Sequence, residues 1–125
     1  METVLIADHD LGFVVWLGAA LAEAGFQVLP ARTARRAAQI ARLFNIDLMI
    51  ANPALLGTAD FIESLHRRHP HVKLVAATKG PNSGTGKLVG VDGFLSKPAL
   101  ANEASKRRWV EQVSALAREA ALVAH

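Results

Sequence analysis

The chain has 125 residues, of which 51% are hydrophobic and 20% are charged, and its formal charge is +3. This length and balance are typical of one globular domain and exclude a disordered chain, so we expect a single domain over residues 1–125. Because there is no cysteine, a disulfide framework, a thiolate nucleophile and a zinc–thiolate site are all excluded.

The same features argue against membrane and nucleic-acid partners. The longest apolar run, residues 11–22, is shorter than the roughly 18–20 residues that a membrane span needs. The start Met1-Glu2-Thr3 lacks the positive charge of a secretory signal. The basic residues fall in separate clusters, with no RNA-binding aromatic signature and no clear helix-turn-helix. We therefore expect a cytoplasmic protein that binds neither membranes nor nucleic acid.

Short apolar runs alternate with helix-like periods along the chain. Such runs are typical of strands that are buried on both faces of a sheet. The predicted strands cover residues 3–8, 26–29, 46–51, 72–78 and 91–96. The predicted helices cover residues 11–24, 34–44, 59–69 and 100–123. The glycine-rich stretch 79–90 is predicted to be a loop with at most one helical turn, and no role is assigned to it.

The predicted helices carry capping signals at their ends. In the first helix Phe13 and Leu17 recur at helical spacing, and Gly25 stands where a helix C-cap belongs. Thr33 and Thr58 can each cap the helix that follows them. These signals support the division of the chain into alternating strands and helices.

This alternation predicts an α/β fold built from five (βα) units, in which a parallel sheet carries helices on both faces. Polar side chains stand at the C-terminal ends of four of the predicted strands: Asp8, Asn52, Thr78 and Lys97. Sites in open parallel sheets form beyond the C-terminal ends of the strands. We therefore expect these four groups to converge on one small pocket.

These residues, in this order, resemble the receiver domains of two-component response regulators. That family has the CheY-like, flavodoxin-like (βα)5 fold, a doubly wound parallel sheet with strand order 2-1-3-4-5. The segment Val4–Asp8 is similar to the family's first strand and its acidic end, and residues 46–52 are similar to its third strand. The resemblance covers nearly the whole chain and implies that Asn52 stands where the family has its phosphate-accepting aspartate.

The resemblance also implies roles at the ends of the fourth and fifth strands. Thr78 falls where the family has the residue that binds a phosphoryl oxygen, and Lys97 falls where the family has its invariant lysine. In the family this lysine is usually followed by a cis proline. Pro98 is therefore predicted to follow a cis peptide bond.

Two departures from the family pattern bear on the chemistry. The second acid of the first strand is replaced by His9, with Asp10 one residue later, and Asn52 lacks the carboxylate that would attack phosphorus. Of the expected three carboxylates only Asp8 remains, whereas Mg²⁺ prefers charged oxygens in near-octahedral geometry. We therefore expect a degenerate phospho-site that binds Mg²⁺ weakly or not at all and takes no other cofactor. Asp8 and Asp10 are the only metal candidates, and weak ones.

The sequence thus predicts a receiver-like domain of bacterial two-component signalling that is not an enzyme and does not depend on phosphorylation. It would act by contact with a histidine kinase, another signalling protein or a second copy of itself, and it would have no small-molecule substrate. The predicted partner face contains Phe94, Lys97 and Trp109. For Trp109 the sequence equally allows a position packed at the sheet edge.

Two alternatives remain open at this point. One is a working phospho-receiver with an unusual acceptor, Asp8 or Asp10, and a displaced metal. The other is a flavodoxin-like module for a small molecule, which predicts a well-formed pocket of roughly a few hundred Å³ at the strand ends. His9 could also act as a pH-sensitive group, although a loop histidine at the pocket rim is the simpler interpretation.

Overall fold

Parallel strands and helices alternate in the computed structural model, which describes residues 2–56, 59–79, 91–98 and 102–124. The strands are β1 (Thr3–Ala7), β2 (Gln27–Ala31), β3 (Leu48–Ala51), β4 (Lys73–Thr78) and β5 (Gly93–Ser96). The helices are α1 (Leu11–Glu23), α2 (Ala34–Leu43), α3 (Pro53–Leu56), α4 (Ala59–Arg68) and α5 (Glu103–Ala124). Among the helices within these ranges, none combines the length and the apolar character that a membrane crossing requires.

Every predicted strand and helix has a counterpart among these elements, and α3 is an additional short helix after β3. The predicted cap Thr58, the glycine-rich stretch from residue 80 to 90 and the predicted helix start at residue 100 lie outside the described residues. Two other capping predictions are confirmed. Gly25 follows α1 with a φ of 102°, a conformation that favours glycine, and the Thr33 side chain accepts a hydrogen bond from the first turn of α2.

The strands form one parallel sheet in the order β2-β1-β3-β4-β5. This order confirms the predicted α/β fold. Ile6 of β1 pairs with Pro30 of β2 on one side and with Ile50 of β3 on the other. The strand order therefore reverses at β1, and the C-terminal ends of β1 and β3 border the crevice where such sheets place their sites.

The hydrophobic core has one half on each face of the sheet. Leu5 and Met49 belong to the half that packs against α2 and α4. Ile6 and Ile50, their neighbours along the same two strands, belong to the half beneath α1 and α5. All residues of β1 and β3 are buried, since successive side chains of a strand enter opposite halves of the core. This double burial holds the polar ends of both strands in fixed positions.

Candidate functional site at the ends of the strands

Asp8 is the centre of a polar cluster at the C-terminal end of the sheet. It directly follows β1 and is fully buried. Its Oδ1 accepts a hydrogen bond from the backbone N–H of Asp10 at 2.9 Å and a longer one from Nδ2 of Asn52 at 3.4 Å. Its Oδ2 lies 2.6 Å from Nζ of Lys97. A buried carboxylate requires such partners, because an isolated charge in the interior is very costly.

Lys97 reaches this cluster from the edge of the sheet. It follows β5, which β3 and β4 separate from β1, and its side chain is only 7% exposed. Its Nζ also lies 4.6 Å from the centre of the Phe13 ring, a cation–π distance, and 3.8 Å from Oδ2 of Asp10. The contact with Asp8 is an ion pair and not an aligned hydrogen bond. Lys97 thus supplies the positive charge that balances Asp8.

Asn52 closes the cluster at the end of β3. Its backbone N–H donates to the carbonyl of Ala7 at 2.9 Å, which continues the ladder between β3 and β1. Its Oδ1 accepts the N–H of Ala54 at 2.9 Å, so the side chain caps α3, with Pro53 at the first helical position. With the amide oxygen engaged in this way, the Nδ2 group faces Asp8.

The remaining predicted site residues lie at different distances from this centre. Thr78 is the last residue of β4 and is buried. Its backbone carbonyl accepts a hydrogen bond from the backbone N–H of Lys97. Asp10 is at the rim, where its Oδ1 accepts the N–H of Phe13 at 3.2 Å and so caps α1. His9 is exposed. The structure therefore brings together Asp8, Asn52 and Lys97, with Asp10 beside them, and leaves His9 facing solvent.

The prediction of a cis peptide bond before Pro98 is wrong. Every peptide bond in the described ranges is trans, including that between Lys97 and Pro98. The trans form before proline is lower in free energy by about 0.5–1 kcal/mol. In this chain the trans bond already lets Nζ of Lys97 reach Asp8.

Two of the three residues of the predicted partner face are largely buried, although all three line one groove on β5 and α5. Trp109 is buried. Its indole N–H donates to the carbonyl of Ser96 at 3.2 Å, and its ring packs edge-on against the ring of Phe13, with 5.4 Å between the two ring centres. The side chain of Lys97 points inward to Asp8. Phe94, at 45% exposure, remains on the surface of β5. Of the two positions that the sequence allowed for Trp109, the packed one is therefore observed.

Comparisons with known proteins bear on this arrangement of strands and polar ends. Neither the protein-family models nor the curated proteins include a match to this chain. Solved structures do match. A CheY-like receiver domain protein from Methanospirillum hungatei superposes with a TM-score of 0.80 at 19% identity, with 96% of each chain covered. The chemotaxis response regulator CheY4 of Vibrio cholerae superposes with a TM-score of 0.74 at 21% identity, over 90% of this chain and 98% of its own. This chain has the receiver fold.

A third solved receiver structure allows the metal to be considered. The response regulator TrrA from Thermotoga maritima, in complex with Mg²⁺–BeF, superposes with a TM-score of 0.73 at 18% identity, over 93% of this chain and 99% of its own. In this chain Asn52 uses its oxygen to cap α3, and one oxygen of Asp10 caps α1. Mg²⁺ needs several hard oxygens in near-octahedral geometry. Among the residues that the structure describes, no group of three or more His, Cys, Asp or Glu side chains is placed to hold a metal ion.

A hollow of about 460 Å³ lies beside the polar cluster of the receiver fold. Phe13 and Trp16 form part of its wall, together with Asp10, Lys79 and Lys97. Its size is what the small-molecule alternative predicts, but Asp8 and Asn52 do not line it. The polar groups at the tips of β1 and β3 are directed at each other and not into this space.

Sequence reasoning missed two residues that shape the site. Asp10 is predicted as a weak metal candidate and as an unusual acceptor, but not as a helix cap, although an aspartate directly before an apolar helical period is a helix N-cap signal. From the sequence, Phe13 is one of the periodic apolar residues of the first helix, and its position beside the lysine nitrogen depends on the tertiary structure. The first role could have been found in the sequence, whereas the second could not.

Proposed function

We propose that these 125 residues form a cytoplasmic, receiver-like module of two-component signalling that accepts no phosphoryl group, catalyses no reaction and acts by binding partner proteins. The observation that carries this proposal is Asn52 at the end of β3, where its Oδ1 accepts the N–H of Ala54 and its Nδ2 donates to the buried Asp8, which pairs with Lys97. A receiver places a carboxylate nucleophile at this position and Mg²⁺ beside it. Here the position holds an uncharged amide that is engaged with its neighbours.

None of the nearby carboxylates is suited to replace the missing acceptor. Asp8 is fully buried and its two oxygens face Asp10, Asn52 and Lys97. Asp10 is more exposed, but one of its oxygens caps α1 and the other lies 3.8 Å from the ammonium of Lys97. Phosphorylation of either would break these contacts. This argues against a working phospho-receiver with an atypical acceptor.

The cluster also supports a domain that stays in one conformation without metal. Three carboxylates in a receiver crevice repel one another, and a metal ion offsets that repulsion. In this chain the buried part of the cluster consists of one carboxylate, one amide and one ammonium, and the second carboxylate, Asp10, lies at the more exposed rim. Pro53 follows Asn52 and has no N–H to close a succinimide ring, so deamidation would not regenerate an aspartate by the usual route.

A surface on β5 and α5 is available for a protein partner. Phe94 is 45% exposed and borders a groove of about 550 Å³ with Ser96, Arg108 and Gln112. Large exposed apolar side chains with a polar rim are typical of interaction sites. We propose that a histidine kinase, another signalling protein or a second copy of the chain binds here, and that no small molecule does.

The proposal is tested by intact-mass spectrometry after incubation with acetyl phosphate and Mg²⁺. The wild-type chain is expected to gain no phosphoryl group. The matched variant His9→Asp/Asn52→Asp restores the missing acids and is expected to gain one. A beryllofluoride titration followed by tryptophan fluorescence gives a second readout, since Trp16 and Trp109 both lie near the crevice.

The decisive comparison is between the wild type and two acceptor variants, Asp8→Asn and Asp10→Asn. A stoichiometric adduct on the wild type that Asp10→Asn abolishes would identify Asp10 as an atypical acceptor and end the proposal. Binding of a purified partner that rises after acetyl phosphate treatment of the wild type would contradict it equally.

A further inference from the structure

Helix α1 is apolar on all sides, although only one side is buried. From Leu11 to Ala22 it contains no charged side chain. Phe13 and Leu17 point into the core, whereas Leu11 is 51% exposed and Val15 is 61% exposed. A surface helix normally carries polar residues on its outer face. The exposed apolar side chains on the outer face of α1 are therefore typical of a surface that contacts another molecule.

This outer face forms one wall of a groove between α1 and the edge strand β2. The groove has a volume of about 660 Å³ and is lined by Leu11, Val15 and Ala19 from α1 and by Val28 and Pro30 from β2. Two arginines, Arg32 and Arg36, also line it, and no acidic residue of the described ranges does. It is separate from the strand-end crevice and from the surface around Phe94.

We infer that this groove binds an amphipathic helix of a partner protein, with the apolar side of that helix on α1 and acidic residues facing Arg32 and Arg36. The inference is independent of whether the crevice at Asn52 can be phosphorylated, because none of the groove residues belongs to that crevice. A helix in an apolar groove with a charged rim is a common recognition mode.

The geometry of β2 disfavours an added strand as the occupant. The backbone N–H of Gln27 donates to the carbonyl of Glu2, and the carbonyl of Ala31 accepts the backbone N–H of Asp8. Alternate residues of β2 therefore direct their backbone groups toward β1. The free edge is therefore carried by Val28 and Pro30. Pro30 has no N–H, so half of the donors that a docking strand would need are missing.

The charges at the groove indicate an acidic occupant and argue against a second copy of the chain. In the described structure Arg32 has no ion pair, and Arg36 contacts only the side-chain oxygen of Gln39 at 3.4 Å. In a two-fold dimer the same patch meets itself. This patch offers no carboxylate to its own arginines, and the chain carries a net charge of +3.

Fluorescence anisotropy with two synthetic helix-forming peptides tests the inference. Both peptides carry leucines on one face, and the other face carries glutamates in one peptide and lysines in the other. The wild type is expected to bind the acidic peptide at least about tenfold more tightly than the basic one. Val15→Glu should weaken binding of the acidic peptide by about tenfold or more, since it places a charge in the apolar groove.

Matched controls exist for both features of the groove. Leu43→Glu changes an apolar side chain of 77% exposure outside the groove and should leave binding unchanged. Arg32→Glu/Arg36→Glu should reverse the preference toward the basic peptide. Arg35→Glu/Arg42→Glu makes the same change in net charge on a different cavity and should not reverse it.

Three outcomes would overturn the inference. The first is an acidic peptide that does not bind at saturating concentration, and the second is equal binding by wild type and Val15→Glu. The third is a dimer in sedimentation velocity that Val15→Glu dissociates, which would make a second copy the occupant. Circular dichroism confirms that each variant is folded. Asn52→Asp should leave peptide affinity unchanged, so failure here and failure of the proposed function are distinguishable.

Discussion

At the residue scale, Asp8 and Lys97 depend on each other because both side chains are removed from water. The carboxylate is 1% exposed and the lysine side chain is 7% exposed. Removal of one member of a buried ion pair leaves an uncompensated charge, which costs far more than the loss of a surface pair. The two possible deletions are not equivalent, since Asp10 lies 3.8 Å from the ammonium and can partly compensate for loss of Asp8.

Lys97→Met is expected to lower the free energy of unfolding by about 3–5 kcal/mol, because it leaves Asp8 buried without its cation. Asp8→Asn is expected to cost less, since Asp10 and the ring of Phe13 still face the ammonium. The double variant Asp8→Asn/Lys97→Met should be more stable than Lys97→Met alone. Urea unfolding of the four proteins gives the coupling free energy between the two side chains.

Lys73→Met is the control for this cycle. Lys73 pairs with Glu119 at 3.9 Å, and the two side chains are 25% and 60% exposed. Its replacement should change stability by no more than about 1 kcal/mol, as is usual for exposed pairs. Equal losses in Lys97→Met and Lys73→Met would show that the pair with Asp8 does not hold the crevice.

The convergence of Asp8, Asn52 and Lys97 could be predicted because each residue follows a parallel strand, and the ends of such strands meet at one edge. The details that depend on side-chain rotamers and local backbone geometry could not. The trans bond before Pro98 and the ring of Phe13 beside Nζ are set by packing that has no local sequence signal. The charge balance of the site was predictable, but its exact contacts were not.

At the scale of single elements, α1 shows where the sequence pattern is incomplete. Its helical nature and inner face at Phe13 and Leu17 followed from the spacing of apolar residues. Because apolar residues also occupy its other side, the period gave no contrast to show which of them stays exposed. The same limit applied to Trp109 on α5, where composition alone did not distinguish a packed indole from an exposed one.

A pair of alanine substitutions on α1 tests this division into two faces. Leu17→Ala removes a fully buried side chain and is expected to cost about 2–5 kcal/mol. Val15→Ala truncates a side chain that is 61% exposed and should stay within about 0.5 kcal/mol of the wild type. Urea unfolding monitored by circular dichroism measures both. Similar losses in the two variants would mean that the outer face of α1 is covered within the chain itself.

At the scale of the whole molecule, the pattern of alternating elements determined the fold class, and the family resemblance supplied the strand order. Neither indicated how the edge strand β5 is fastened. This strand has four residues and is only partly buried. Nζ of Lys97, which directly follows this strand, pairs with Asp8, which directly follows β1, and β4 and β3 lie between the two strands in the sheet. One ion pair therefore links an edge of the sheet to its centre.

Native-state hydrogen exchange can show whether this link holds β5 in place. Lys97→Met should speed exchange of the β5 amides through local opening, a process that exposes an edge without unfolding the core. Leu17→Ala is the matched comparison, because we expect it to lower global stability by a similar amount, and it leaves Lys97 intact. We expect β5 to exchange about tenfold or more faster in Lys97→Met than in Leu17→Ala, which corresponds to about 1.4 kcal/mol of local stability. Amides of β1 and β3, which open only with the core, should differ little between the two variants. Equal rates for β5 in both would mean that its backbone pairing with β4 alone holds the strand, and that Lys97 serves only to neutralise Asp8.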